Sequence, residues 1–370
     1  MKVLVFSVTC GEGHNSTARA IVNKLCDMGI TCEFLDAFQY ISKNLSKALE
    51  DGYLFSTKYI SAPYSYVYRK SEKRSKNAED ISSVRLLNTV LASKLRQFVE
   101  DYAPDVIITT HCFAAAMIDV LKTKGVINSV NIGVVTDFTA HPFWEESLHF
   151  DYLVTASEKL DMQFFKKGFT KEQLLPFGIP IAEKFSKEMP AKQECRKQIG
   201  LCPDKRTVLL MSGSMGFGRL YSIVEQLDEL PFDFQIIAVC GRNLEAKEEI
   251  DGMHTAKRMV TYGYTDNIEL LMSASDCIVT KPGGLTSSEA LAMGLPLVLV
   301  NPIPGQEERN VEFLLNNGAA MAVTEATPLD DVMYQLFSND KKLDVMKENI
   351  KLISHPDSSE RLCEFVKNLK

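Results

Sequence analysis

Asp276-Cys-Ile-Val-Thr-Lys-Pro-Gly-Gly-Leu-Thr-Ser-Ser-Glu-Ala-Leu-Ala-Met-Gly-Leu-Pro296 is the stretch on which the fold of this chain turns. A short β-branched run ends at Thr280. Pro282-Gly283-Gly284 then turns, and Thr286, Ser287 and Ser288 open a helix. A strand that runs through a glycine turn into a helix exposes free N–H groups and the positive end of the helix dipole. Such a start favours a diphosphate. Glu289 lies about one turn further on, where a carboxylate can accept both hydroxyls of a ribose. It can equally serve as the capping-box partner of Thr286, and the two roles need not exclude each other.

The same rhythm extends outward in both directions. Upstream, Lys2–Val8, Val106–Thr110, Val130–Thr136 and Tyr152–Thr155 read as buried parallel strands. Helix patterns at Ser16–Met28, Leu87–Glu100 and Ala114–Lys122 lie between them. After Gly200 a second series follows: Thr207–Met211, Phe234–Val239, Met259–Thr261, Cys277–Val279 and Pro296–Val300. Phe177–Pro190, with its glycine, prolines and mixed charges, suits a linker between the two series. The expected class is α/β, with two Rossmann-like doubly wound domains facing each other across a cleft. Their expected bounds are 1–180 and 181–355. A last helix in 356–370 has Asp357 and Ser358 as cap candidates and Leu362, Phe365, Val366 and Leu369 as its apolar stripe.

A length of 370 residues fits two domains. The 45% hydrophobic and 24% charged content is that of a globular chain. A net charge of −7 argues against a nucleic-acid binder held by phosphate contacts. The nine cysteines are scattered with no C-x-x-C pair, which reads as reduced cytosolic thiols. Cys10, Cys112, Cys240 and Cys277 sit in or beside apolar runs and read as small buried hydrophobes. The run Val3–Val8 is too short for a signal peptide, and no stretch approaches the roughly 20 apolar residues of a membrane span.

Three further stretches carry chemistry. The first strand ends in Thr9-Cys-Gly11-Glu-Gly13-His14, where Gly13 allows close approach of the backbone and His14 can act as a general base. His14 can also simply bridge the turn. The strand Thr207–Met211 runs into Gly213-Ser214-Met-Gly216, whose N–H groups can hold a phosphate. Asn301-Pro-Ile-Pro-Gly-Gln306-Glu307-Glu-Arg-Asn310 clusters amides and carboxylates that suit sugar hydroxyls. No Asp-x-Asp occurs, so a metal-bound diphosphate of that kind has no ligands, and neither metal nor cofactor is expected.

The 281–289 and 304–310 stretches, in this order and spacing, resemble the nucleotide-sugar half of GT-B glycosyltransferases. With Gly11-Glu-Gly-His14 and Thr136-Asp137-Phe-Thr-Ala-His141-Pro-Phe-Trp144, the chain resembles the monogalactosyldiacylglycerol synthase and processive diacylglycerol glucosyltransferase group of glycosyltransferase family 28. Glu12 departs from the Gly-Gly-Gly-His of the plant form at that turn but resembles bacterial forms. The resemblance implies a GT-B fold and inverting transfer of a hexose from UDP-galactose or UDP-glucose. The implied acceptor is diacylglycerol or glycosyl-diacylglycerol. It also implies that Gly283, Gly284, Leu285 and Thr286 form the diphosphate turn and that Glu289 holds the ribose. Gln306, Glu307 and Asn310 are then the sugar contacts, Ser214 a phosphate contact, and Tyr264 a neighbour of the uracil. His14 matches the acceptor base. Asp137 is the second choice, as base or as the group orienting a histidine. His111 and His141 are expected to be structural or acceptor-positioning.

A lipid acceptor places the enzyme at an anionic membrane surface, on the inner face of the cell membrane. The insert Phe38–Asp80, with six Tyr/Phe residues between Tyr53 and Tyr68 and then Arg69, Lys70, Lys73, Arg74 and Lys76, suits such an interface. A solvated loop is the other reading. Three rivals share the fold or the ligand: N-acetylglucosaminyl transfer to a lipid-linked peptidoglycan precursor, a UDP-sugar epimerase, and a non-enzymatic UDP-sugar-sensing membrane scaffold.

Overall fold

The computed structural model describes residues 1–9, 12–43, 78–211 and 220–369. These residues fold into two compact units. The first comprises Met1–Glu183, Ile303–Gln306 and Asp357–Lys370, and the second Lys184–Pro302 and Glu307–Pro356.

The first unit is built on β1 (Lys2–Ser7), β2 (Thr31–Asp36), β3 (Val106–Thr109), β4 (Val130–Val134), β5 (Tyr152–Val154) and β6 (Leu174–Leu175). Among the described residues they form one six-stranded parallel sheet in the order β2-β1-β3-β4-β5-β6. β3 is buried at every position, which is why its sequence is an unbroken apolar run ending in Thr. β2 and β6 are absent from the strands expected above. β2 is an edge strand with mostly exposed side chains, so Thr-Cys-Glu-Phe-Leu-Asp carries no core pattern. β6 is two residues long. β1 stops at Ser7 and β4 at Val134, each short of its expected end.

The second unit repeats the plan with β7 (Thr207–Met211), β8 (Gln235–Val239), β9 (Met259–Tyr262), β10 (Cys277–Thr280), β11 (Leu297–Leu299) and β12 (Ala320–Ala322). The order is β12-β11-β10-β7-β8-β9, again all parallel. β12, a three-residue Ala-Met-Ala edge strand, also escaped the sequence pattern.

Strand order decides where ligands can bind. In each sheet the chain reverses direction beside the first strand, between β1 and β3 and between β7 and β10. Loops that leave the carboxyl ends at such a point are in general where an α/β sheet binds its ligand. In the first unit those loops carry His14 and Thr110-His111. In the second they carry residues 212–219, which lie outside the described residues, and Lys281–Gly283.

The first core packs Val3, Val5, Val106, Ile108, Ile132 and Val134 against Ala18, Ile21 and Leu25 of the helix Glu12–Asp27. The helix Ser358–Lys367 completes it with Leu362, Cys363 and Val366, all fully buried, while Phe365 and Leu369 pack at its margin. Burying Leu362 and Val366 contributes about 1.5–3 kcal/mol each. Asp357 occupies the cap position without a side-chain cap bond. Ser358 and Ser359 instead donate their hydroxyls to the carbonyls of Ile179 and Ile181, at 2.9 and 2.6 Å.

Gly133 shows how tightly β4 is covered. A Cβ there would lie 2.6 Å from Leu153 Cδ1 and 2.7 Å from Trp144 Cζ3. Trp144 is thus a buried plate that seats the 3-10 turn Pro142–Ser147 on the sheet. Gly133→Val is expected to destabilise the protein by about 1–3 kcal/mol through overpacking. A thermal unfolding midpoint equal to that of the native protein would refute this account of the contact.

Cys240, Cys277 and Cys363 are buried thiols, and Cys112 is half-buried; none of the four forms a disulfide. Desolvation pushes Cys277 and Cys363 up to about 12 and Cys240 to about 11, which keeps them as inert thiols. Cys10 lies outside the described residues. Among those residues no helix is long and apolar enough to cross a membrane.

Candidate active site

In the first unit the glycine turn is shorter than the sequence suggests. The helix starts at Glu12 rather than Ser16, so half-buried Gly13 and His14 sit in its first turn. A carboxylate in that turn is favoured by the helix dipole, and Glu12 also pairs with Arg19 at 3.0 Å. Thr9, just past the first strand, is tied to both Asp36 and the helix. Its N–H donates to Asp36 at 2.8 Å, and its hydroxyl accepts from Asn15 Nδ2 at 2.8 Å. Asp36 also caps the helix Ala37–Ile41 through Gln39 N–H.

His14 Nδ1 lies 2.8 Å from the carbonyl oxygen of Thr110 and 2.9 Å from Thr136 Oγ1. A carbonyl only accepts, so Nδ1 carries the proton and Nε2 carries the lone pair. The Thr110 hydroxyl donates back to the His14 carbonyl at 3.1 Å, clamping residue and helix to the end of β3. Burial lowers the pKa of His14 below 6.5, while the nearby Asp137 carboxylate and the Thr110 bond raise it. The imidazole is therefore neutral at pH 7, with its basic nitrogen set by geometry. Thr110 and Thr136 were not among the expected site residues. Their signal was a polar Thr just past the carboxyl end of a buried strand, β3 for Thr110 and β4 for Thr136.

Asp137 is buried, and its carboxylate accepts from the Gln306 side-chain amide, since Ile303–Gln306 belong to this unit. His111 joins His14 edge to face at 4.4 Å. His111 caps the helix Cys112–Thr123 and His141 the 3-10 turn Pro142–Ser147, and each accepts a backbone N–H on Nδ1, from Phe113 at 3.1 Å and Phe143 at 3.2 Å. Desolvation drives His111 well below 6.5 and His141 to about 3.

In the second unit the helix Gly284–Ala292 is capped by Gly283, with no side-chain cap. Its first intrahelical bond runs from Ser287 N–H to Gly283 C=O at 3.0 Å, so the N–H groups of Gly284, Leu285 and Thr286 precede the ladder. Thr286 is the third helical residue, not the cap, and the capping-box reading of Glu289 is overturned. Glu289 stands half-buried in the second turn. Desolvation pushes its carboxyl up to about 8. Lys184 pulls it down and Glu269 pushes it up, and these two pair with each other at 2.8 Å.

Asn310 is fully buried, and its Nδ2 donates to the Pro282 carbonyl at 2.9 Å. It holds the Pro282–Gly283 turn from behind. Glu307 is half-buried in the first turn of the helix Gln306–Asn316. Tyr264, just past β9, is 59% exposed, with the Arg242 guanidinium 5.4 Å over its ring. Gly213, Ser214 and Gly216 lie outside the described residues, as does most of the 38–80 insert, including Arg69, Lys70, Lys73, Arg74 and Lys76.

Comparison with known proteins places both halves. The monogalactosyldiacylglycerol (MGDG) synthase family matches residues 14–181, and the glycosyltransferase family 28 C-terminal domain matches residues 207–362. The processive diacylglycerol beta-glucosyltransferase of Bacillus licheniformis is 30% identical over 97% of this chain and 92% of its own. That of Bacillus subtilis is 28% identical over 99% and 94%. Among solved structures, MurG of Acinetobacter baumannii aligns with a TM-score of 0.66 at 14% identity, covering 100% of this chain and 99% of MurG. Anabaena HepE in complex with UDP aligns with 0.59 at 14%, covering 100% of each chain. These likenesses establish the GT-B fold. With 30% identity over nearly its whole length and both domain families matched in order, the chain is a glycosyltransferase and belongs to the monogalactosyldiacylglycerol synthase and processive diacylglycerol glucosyltransferase group of glycosyltransferase family 28.

Proposed function

We propose that this enzyme transfers galactose or glucose from its UDP-sugar to diacylglycerol or a glycosyl-diacylglycerol, with inversion and without a metal ion, at the inner face of the cell membrane. The observation that carries the reading is the pinning of His14 Nδ1 by Thr110 and Thr136, which leaves Nε2 as a base. The relatives named above act on diacylglycerol, which supports the acceptor.

The chemistry balances in one displacement. The acceptor hydroxyl oxygen forms a bond to the anomeric carbon while the bond from that carbon to the diphosphate oxygen breaks. The hydroxyl proton passes to His14 Nε2, and UDP leaves with the electron pair. The N–H groups at Gly284, Leu285 and Thr286 and the helix dipole offset the charge that develops on the diphosphate. Glu289 takes the ribose hydroxyls, Tyr264 lies near the uracil, and Gln306 and Glu307 contact the sugar. Asn310 acts on the sugar only through the turn that it braces. Gly213, Ser214 and Gly216 complete the phosphate contacts, with Gly13 beside the acceptor. The membrane reading rests on the aromatic and basic composition of the insert.

Radiolabelled UDP-galactose and UDP-glucose, each offered with diacylglycerol liposomes, are expected to label a lipid product. Proton NMR of that product should show a β-linked sugar, and the rate should persist in EDTA. A lipid-linked muramyl acceptor run in parallel should stay unlabelled. Label appearing there and not in diacylglycerol would overturn the reading.

A further inference from the structure

His111-Cys112-Phe113 and His141-Pro142-Phe143 are two copies of one local device. In each, the histidine caps a helical start by accepting the N–H of the phenylalanine two residues on. In each, the two rings lie 5.1 Å apart, tilted at 44° and 52°. Because Nδ1 accepts in both, the neutral imidazoles carry their protons on Nε2. Phe113 and Phe143 meet at 5.5 Å, which joins the two copies into one cluster. Both phenylalanines are only half-buried.

The cluster is continuous at both ends. At one end His111 packs on His14 at 4.4 Å. At the other, Phe113 meets Phe38 of the helix Ala37–Ile41 at 6.2 Å. A row of rings therefore leads from the proposed base to that helix, and every member of the row is aromatic. A ledge for a free sugar would need amide and carboxylate groups around the ring faces. This one offers apolar ring faces, which match acyl methylenes.

We propose that Phe113 and Phe143, set in place by His111 and His141, form the seat for the proximal acyl portion of the lipid acceptor. This rests on the diacylglycerol reading above and assigns the acceptor a place within the first unit. Phe38 backs the seat as a buried support.

The test uses the full-length enzyme with Phe113→Ala, Phe143→Ala, and Leu at each position. Steady-state rates are measured with dioctanoylglycerol and dioleoylglycerol in mixed micelles, and UDP affinity by calorimetry. Each Ala variant is expected to raise KM for both diacylglycerols about tenfold, the loss of one aromatic contact. UDP affinity should stay within twofold, and Leu should restore much of the KM. Acceptor KM unchanged in variants with native UDP affinity would overturn the seat while leaving the reaction intact. If the Ala variants do not fold, the Leu variants decide, since shape alone should raise KM by a few fold. A native enzyme that labels no diacylglycerol would overturn both the reaction and the seat.

Discussion

Replacing His14 with Ala is expected to lower kcat by roughly 10²–10⁴-fold while UDP affinity stays within about twofold. The magnitude is that of a positioned general base. It follows from geometry, since Thr110 and Thr136 hold Nδ1 and leave Nε2 as the proton acceptor. Burial keeps the pKa below 6.5, so the base is free at pH 7. Activity should fall only as pH drops through that lowered value. Asp137→Asn removes a field that raises the His14 pKa, so the acid limb should move to still lower pH. Its loss of kcat should be smaller than that of His14→Ala. The opposite ranking would make Asp137 the base.

Replacing Glu289 with Gln is expected to weaken UDP binding by roughly 10–100-fold at pH 9, where two charge-assisted bonds are lost, and far less at pH 6. The difference arises because the free carboxyl titrates near 8. A protonated carboxyl cannot accept two hydroxyls with both oxygens charged, so donor affinity should rise as pH climbs toward 8 and then level off. UDP binding at pH 7 should release a proton, visible calorimetrically as a dependence of heat on buffer.

The same shift has a mirror in stability. An unfolded carboxyl titrates at about 4.5, and this one at about 8 when folded. Between those values the unfolded chain ionises first. The stabilising proton is fully present below about 4.5 and lost as pH rises to 8. Free native protein should therefore lose stability across that window relative to Glu289→Gln, by on the order of a few kcal/mol. Parallel unfolding curves for the two at pH 5 and pH 8 would sink the assignment of a desolvated Glu289.

Much of the fold was legible because buried parallel strands are mostly apolar, as β1, β3, β4, β7, β8 and β10 are apart from isolated polar residues such as Asn131 and Gln235. The edges were not. β2 is solvated, and β6 and β12 are two or three residues long, so pairing rather than composition creates them. The Gly283–Thr286 helix start and Glu289 were readable as local chemistry, because a turn and the helix after it lie within one short stretch. Which residue caps that helix was not, since Gly283 and Thr286 were both competent and backbone geometry chose Gly283.

By itself the sequence determined that the chain holds two series of strand and helix, with glycine turns at the strand ends that could take a diphosphate and a base. Those are properties of neighbours along the chain. Only the tertiary structure decided that His14 is held by Thr110 and Thr136, which lie 96 and 122 residues away. It also decided that Asn310 faces inward to Pro282, 28 residues distant, and that two separate His-x-Phe segments share one ring cluster. Hydrogen bonds and ring contacts depend on distances of a few ångströms, and strand order sets those distances between residues whose spacing along the chain carries no record of it.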